Sequence, residues 1–175
     1  DNPGFRFNKQ LGGSCLLDVG CYPVSAILDL FPTNNIEILS TFMRNSDSVP
    51  VDVEGRAHLK LDSGINCVLE WAYNSAYRND IDIWGESGSI YTDKIFSKNS
   101  DYKPNFQIRD LYGNLSTIDI DPKNHFELML KSFSDSIGNT NKTNQQRERI
   151  LKLATLLDQI NYNSSNTKIK GNKYV

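Results

Sequence analysis

Asp18 and Tyr22 stand four residues apart in the stretch GGSCLLDVGCYP, residues 12–23, after a glycine pair and at the head of an apolar run. One helical turn sets such a carboxylate beside such a phenol. The carboxylate can hold a hydroxyl by accepting its hydrogen. The phenol can give or take a proton when something lowers its pKa from about 10, and a nearby cation does so. The stretch itself contains no cation. The same spacing also fits a plainer arrangement, with Asp18 capping a helix and Tyr22 packing at its edge. Gly12 and Gly13 permit a tight turn or a close backbone approach. They are not a phosphate loop, because neither GxGxxG nor GxxxxGKS/T occurs in the chain.

The remaining reactive side chains are less suggestive. His58 lies in the alternating run GRAHLKL and reads as a sheet residue, and His125 opens a helix beside Asn124 and Glu127. Two distant histidines make no metal site, and no GxSxG elbow marks a nucleophile. Cys15, Cys21 and Cys67 are odd in number and lack metal-type spacing, which predicts buried free thiols and a reducing, cytoplasmic compartment. The formal net charge of -2, with lysines and arginines scattered among acids, offers no field for a phosphate backbone, so no nucleic-acid partner is expected. No apolar run approaches the roughly 18 residues of a membrane span, so the chain is expected to be soluble, with no membrane partner.

The elements that would position Asp18 and Tyr22 are legible from periodicity. Val24, Ile27, Leu28 and Phe31 recur on one helical face until Pro32, while Pro23 blurs where that helix starts. From Asn35 to Pro122 the pattern has period two, in seven stretches: IEILSTFMRN, VDVEGRAHLKL, INCVLEWAY, RNDIDIWG, GSIYTD, FQIRDLYG and LSTIDID. Short Asp-Ser-Gly, Glu-Ser-Gly and Tyr-Gly-Asn turns join them, with Gly85 and Gly88 in a hairpin, which implies antiparallel pairing. Helices over 124–137 and 144–162 follow, the second with Ile150, Leu153, Leu157 and Ile160 on one face and the polar segment GNTNKTN before it. The polar tail frays unless Ile169 adds a strand edge. The sum is an α+β fold: a largely antiparallel, open-faced sheet of about six or seven strands with helices packed on one face. Val68, Trp71 and Tyr73 suggest that the second face is covered as well, for instance by another subunit.

The whole pattern resembles the C-terminal domain of the glucose-fructose oxidoreductase, inositol dehydrogenase and MocA-type (Gfo/Idh/MocA) oxidoreductase family. FRF at 5–7 followed by LGGSCLLDVGCYPVSAILDLF at 11–31 is similar to the family's Gly-Gly-Gly-x-Leu-x-Asp-x-Gly-x-His/Tyr segment, with Ser14 in place of the third glycine. YRNDIDIWGESGSI at 77–90 is similar to its later strand-turn-strand. The resemblance implies that residues 1–175 form the substrate-binding and oligomerisation domain of a longer protein, a fragment whose N-terminal Rossmann domain for NAD or NADP lies outside it. The start at Asp1, with neither Met nor an apolar leader, fits that expectation.

The resemblance further implies two catalytic residues, Asp18 on the substrate hydroxyl and Tyr22 as proton donor or acceptor. The missing cation would be the lysine of a Glu-Lys-Pro motif in the preceding domain. Tyr22 in the His/Tyr position looks most like the dihydrodiol and sugar dehydrogenase branch. Arg6, Tyr77 and Arg78 fall in segments near the substrate, and Gly12 and Gly13 near the cofactor. The expected activity is NAD(P)-dependent oxidation of a secondary alcohol of a sugar, cyclitol or diol, or reduction of the matching ketone, by a homo-oligomer paired through its sheet. The fragment alone is expected to be inactive. Two other readings are a non-catalytic ligand-binding or oligomerisation module of the same fold and a free-standing α+β ligand-binding domain.

Overall fold

A computed structural model describes residues 4–169. Two 3-10 turns, Phe5–Phe7 and Lys9–Leu11, lead to a π-turn, Leu16–Gly20, and helix α1, Cys21–Leu30. Seven strands follow: β1 Ile36–Ser46, β2 Asp52–Leu61, β3 Asn66–Ala72, β4 Asp80–Gly85, β5 Gly88–Asp93, β6 Asn105–Asp110 and β7 Leu115–Asp119. Helices α2, His125–Ser136, and α3, Thr140–Asn163, precede a last strand, β8, Ser165–Ile169. The chain divides into two compact units, Asp1–Ser75 with Asn144–Val175, and Ala76–Thr143.

The α+β, largely antiparallel architecture expected from the sequence is present, with the strands shared between two four-stranded sheets, β3-β2-β1-β8 and β4-β5-β6-β7. The ladder breaks after β3, where Asn74 takes a φ of 54° and residues 73–79 leave the extended pattern. Ile169 does join a strand, since β8 pairs parallel to β1 through Ser46.

In the first unit the inward positions of β2 and β3, among them Ala57, Leu59, Leu61, Cys67 and Leu69, are buried against Leu16, Val24 and Ile27 from the first helical stretch and Leu156, Leu157 and Ile160 from α3. The α3 stripe is turned slightly from the one read by periodicity: Leu156 is buried and Ile150 is exposed. Trp71 and Tyr73 face this helix-side core while Val68 faces away, so the three do not mark a covered second face, as strand parity dictates. The outward side of these strands carries cross-strand charge instead, with Arg44 on Glu54 and Arg56 on Glu70.

Trp71 sets how closely the helix can sit. Its indole lies over Gly55, its direct partner on β2, and a Cβ at Gly55 would stand 2.4 Å from the ring. On the helix side a Cβ at Gly20 would stand 2.9 Å from the same ring. Two glycines on two elements therefore form the slot that one large aromatic fills. A remote cap completes the joint, as the buried Asp52 at the start of β2 accepts the Leu16 N–H at 2.7 Å, satisfying an orphan donor of the first turn. Arg149 of α3 reaches both carboxylate oxygens of Asp29 on α1 at 2.6 Å each and Ser25 Oγ at 2.6 Å.

Within the 22 residues Lys9–Leu30 an 18-residue window reaches a mean hydropathy of 1.4, long and apolar enough by length and composition to cross a membrane. Its apolar residues have another destination here: Cys15, Leu16, Val24, Ile27 and Leu28 are buried in the core.

In the second unit β4 to β7 form an antiparallel meander. The register places Ile83, Ile90 and Ile108 in one row and Phe106 beside Ile118, giving one apolar face, while Asp82, Tyr91, Gln107 and Thr117 share the other. Helix α2 is capped by Asn124, whose side chain accepts from the N–H groups of Phe126 and Glu127. Helix α3 starts inside GNTNKTN rather than after it, because Asn139 Oδ1 accepts the Lys142 N–H at 3.1 Å and so starts the helix within the polar segment.

Filling the Trp71 slot tests its importance. Gly55→Ala is expected to lower unfolding free energy by about 1–3 kcal/mol, the usual cost of overpacking against a buried ring, whereas a change at Lys60, exposed on the outward side of the same strand, should stay within about 0.5 kcal/mol. Urea denaturation of both variants measures the difference, and equal midpoints would remove the slot from the account.

Candidate functional site

The site begins with a short strap. Asn8 Oδ1 accepts the Gln10 N–H at 3.0 Å, Gly12 turns the chain at a φ of 79°, and the Gly13 N–H returns to the Asn8 carbonyl at 2.9 Å. A Cβ on Gly13 would stand 2.5 Å from the Arg6 carbonyl oxygen and 2.7 Å from that of Phe5. The two glycines thus have separate uses, a left-handed turn at Gly12 and close approach at Gly13. Together they fold the strap back so that Arg6 faces the helix start.

Ser14, which stands where the resembling motif has a third glycine, caps that helix: its Oγ accepts the Leu17 N–H at 3.2 Å. With Ser14 and Asp52 doing the capping, Asp18 does not, and the plainer reading of Asp18 as a cap is not what the structure shows. Asp18 lies one turn inside, in the π-turn Leu16–Gly20. Pro23 accounts for the widened turn, since it has no N–H to give the carbonyl four residues back and its ring crowds that carbonyl. The Cys21 thiol donates to the Asp18 carbonyl at 3.7 Å.

The Asp18 carboxylate meets two donors from different elements. Arg6 Nε donates to Oδ2 at 2.7 Å, and Tyr73 Oη, just beyond β3, lies 3.1 Å from the same oxygen and 3.2 Å from the Ser14 carbonyl. Both side-chain hydrogen bonds fall on Oδ2, and among the described residues Oδ1 takes none, while the Asp18 side chain keeps 29 % exposure. One oxygen carries both bonds, and the other takes none from the described side chains. Phe7 packs on the Tyr73 ring with centroids 5.2 Å apart, so the strap clamps both partners of Asp18.

The electrostatics follow this geometry. Burial, then the Asp18 charge and hydrogen bond, push the Tyr73 phenol well above its ordinary value, which keeps its proton in place as a donor. Asp18 raises the Arg6 pKa, first by the hydrogen bond and then by charge, and Tyr22 adds a smaller electrostatic contribution in the same direction. Burial, with Asp52 second, pushes up the Cys15 thiol, and burial alone raises Cys67; both are free thiols of the core. Among the described residues no group of three His, Cys, Asp or Glu side chains is gathered for a metal ion.

The structure therefore brings Arg6 and Asp18 together and sets Tyr22, half exposed in the first turn of α1, within the field of the Arg6 guanidinium. Tyr77 and Arg78 belong to the second unit. There the exposed Tyr77 Oη accepts from Asn79 Nδ2 at 2.8 Å, and Arg78 forks onto Asp80 at 3.1 and 2.9 Å. The contact of Tyr73 with Asp18 is one the sequence reading did not name. Its signal was present, a polar-tipped aromatic at the same strand parity as Cys67, Leu69 and Trp71, and so pointing to the helix that carries Asp18.

Residues 1–91 match the model of the GFO/IDH/MocA C-terminal domain. The chain belongs to this family. Among curated relatives, the dTDP-3,4-didehydro-2,6-dideoxy-alpha-D-glucose 3-reductase of Actinomadura kijaniata is 24 % identical over 155 residues, 89 % of this chain and 46 % of that protein. The enzyme of the same name from Streptomyces antibioticus is 26 % identical over 128 residues, 73 % of this chain and 38 % of that protein. The chain thus spans about half the length of the curated relatives it matches. Among solved structures, a 3-ketoreductase from Actinomadura kijaniata in complex with NADP and TDP-benzene superposes with a TM-score of 0.89 at 22 % identity, over 96 % of this chain and 51 % of that one. D-galactose-1-dehydrogenase from Rhizobium etli gives a TM-score of 0.65 at 10 % identity, over 98 % and 49 %. These likenesses establish the family fold for the chain.

In this family domain the raised Tyr73 pKa carries a pH consequence. A group that titrates higher folded than unfolded stabilises the fold fully below its unfolded pKa and loses that contribution as pH rises toward the folded value. For Tyr73 the loss sets in above about pH 10, and for the buried thiols above about 8.5. Stability should therefore fall in alkali, and Tyr73→Phe should shallow the fall above about pH 10. Denaturation midpoints measured across that range check this, and parallel curves for the two proteins would contradict it.

Proposed function

We propose that the full-length protein is an NAD(P)-dependent reductase of a ketone on a nucleotide-linked deoxysugar, running in reverse as a secondary-alcohol dehydrogenase. In it this domain supplies the substrate anchor and the proton. The observation that carries the proposal is Asp18 with Oδ2 held by Arg6 and Tyr73 while Oδ1 takes no bond from the described side chains, four residues before the half-exposed Tyr22. The substrate class is supported by the names of the curated relatives, dTDP-linked sugar 3-reductases. Solved relatives include tyrosine-to-phenylalanine and lysine variants of the Actinomadura 3-ketoreductase with NADP and TDP-benzene, the two residue types the proposed proton transfer calls for.

In this reading Asp18 Oδ1 accepts a hydrogen bond from a sugar hydroxyl and fixes the ring. Tyr22 delivers its proton to the carbonyl oxygen as negative charge develops there. Bound NADPH or NADH supplies the hydride. Gly12 and Gly13 are proposed to lie near the cofactor, a reading supported at Gly12 by the open space where a Cβ would stand. The preceding Rossmann domain is proposed to hold the dinucleotide, since this chain has no fingerprint for it. Tyr77 and Arg78 are proposed as substrate contacts; the Arg78 pair with Asp80 is 66 % exposed on the arginine side, weak enough for a phosphate to displace. A reducing cytoplasmic setting suits the three free thiols.

In the full-length protein, Tyr22→Phe should lower kcat by about 10²–10⁴ while melting as the parent does, and Asp18→Asn should act chiefly on KM. NADPH oxidation with a dTDP-linked 3-ketosugar measures both, and a fully active Tyr22→Phe enzyme would remove the phenol from the mechanism. Residues 1–175 alone should neither turn over nor quench NADPH fluorescence in a saturable way; tight binding would locate the dinucleotide site here instead. Self-association is proposed through the isoleucine-rich face of β4 to β7 rather than the charged outer side of β1 to β3. Sedimentation of Ile90→Lys against the parent tests this, and unchanged dimerisation of the variant would move the interface elsewhere.

A further inference from the structure

We propose that Tyr73 is a positioning residue for Asp18, fixing which carboxylate oxygen is offered to the substrate. This rests on the reading of Asp18 as the anchor of a sugar hydroxyl. A carboxylate on a short side chain can turn about its Cβ–Cγ bond and present either oxygen, so a single ion pair with Arg6 leaves the choice open. Two donors arriving from different elements remove it. Arg6 comes from the strap, which Gly13 holds against the helix start, and Tyr73 from the residue after β3. Both converge on Oδ2.

The surroundings make Tyr73 the stiffer of the two. The Arg6 guanidinium is exposed, with 54 % of its side chain open to solvent, so screening and side-chain freedom weaken its hold. Tyr73 is half-buried against the core, its ring packed on Phe7 and its hydroxyl within reach of the Ser14 carbonyl as well as Asp18. The Ser14 carbonyl also accepts the Asp18 N–H at 3.0 Å, so the phenol is anchored to the same turn of backbone that carries the carboxylate. Movement of the π-turn therefore carries the anchor and its positioner together. The hydroxyl does no chemistry of its own. It keeps its proton and keeps Oδ2 occupied.

The test uses the full-length protein in two arms. In the kinetic arm, Tyr73→Phe, Asp18→Asn and the double variant are compared with a dTDP-linked 3-ketosugar. Tyr73→Phe is expected to raise KM about tenfold, the worth of one hydrogen bond to a charged group, and to leave kcat within about threefold. In the Asp18→Asn background the same change should alter KM by less than about twofold, because the group it positions is gone. Equal effects of Tyr73→Phe in both backgrounds would overturn the proposal, since a general packing role adds independently. In the spectroscopic arm, tyrosine labelled with ¹³C at Cζ reports the phenol at neutral pH. The Tyr73 signal, assigned through Tyr73→Phe, should move on Asp18→Asn, and a signal that stays in place would also overturn the proposal. A parent protein without turnover, but whose Tyr73 signal still responds to Asp18→Asn, would sink the reductase reading and uphold the coupling.

Discussion

The seating of Trp71 between Gly55 and Gly20 is the contact on which the rest of the first unit depends. A large flat side chain lying across a strand partner needs that partner to have no Cβ, and a helix settling on top needs the same at its point of closest approach. Both conditions are met, so the helical stretch that starts at Cys15 rests directly on the indole. Ile160, Leu156 and Leu157 close the core from the other helix. The depth of this seat decides where the π-turn lies above β3, and hence whether a residue just past the end of β3 can reach it.

Asp18 gains its partners because of that depth. Tyr73 is two residues beyond Trp71 and on the same side of the strand, so the seat that buries the indole delivers the phenol to the carboxylate at 3.1 Å. Gly13 does the corresponding work on the other side by letting the strap lie close enough for Arg6 to bond at 2.7 Å. Pro23 contributes by denying the helix a regular turn, which opens the backbone around Asp18. Glycine, proline and aromatic positions that look like separate local choices in the sequence thus serve one end, a carboxylate with both side-chain donors on one oxygen.

Much of the fold was legible because its signals are local. All seven alternating stretches are strands, and the Val24, Ile27 and Leu28 stripe is the buried face of α1, because burial of one face leaves its period in the sequence. The start of α3 was misplaced because a single Asn139 cap outweighs the polar, loop-like composition after it. The division of the strands into two sheets turns on the left-handed Asn74, a choice of one residue that period-two patterning does not record. At the site, residue type and family resemblance singled out Asp18, Tyr22 and Arg6, and the structure joins two of them, Arg6 and Asp18, in an ion pair. The partnership of Tyr73 with Asp18 spans 55 residues and depends on the packing depth of Trp71, and no spacing rule carries that information.

The central claim is that Asp18 and Tyr22 address the same bound sugar. A crystal structure of the full-length protein with NADP and a TDP-linked sugar analogue tests it most directly. The account predicts Asp18 Oδ1 and Tyr22 Oη each at about 2.6–3.2 Å from oxygens of one sugar ring, hydrogen-bond distance for proton transfer, with Arg6 and Tyr73 still on Oδ2. A sugar ring bound away from both side chains, or Tyr73 released from Asp18 in the complex, would contradict it.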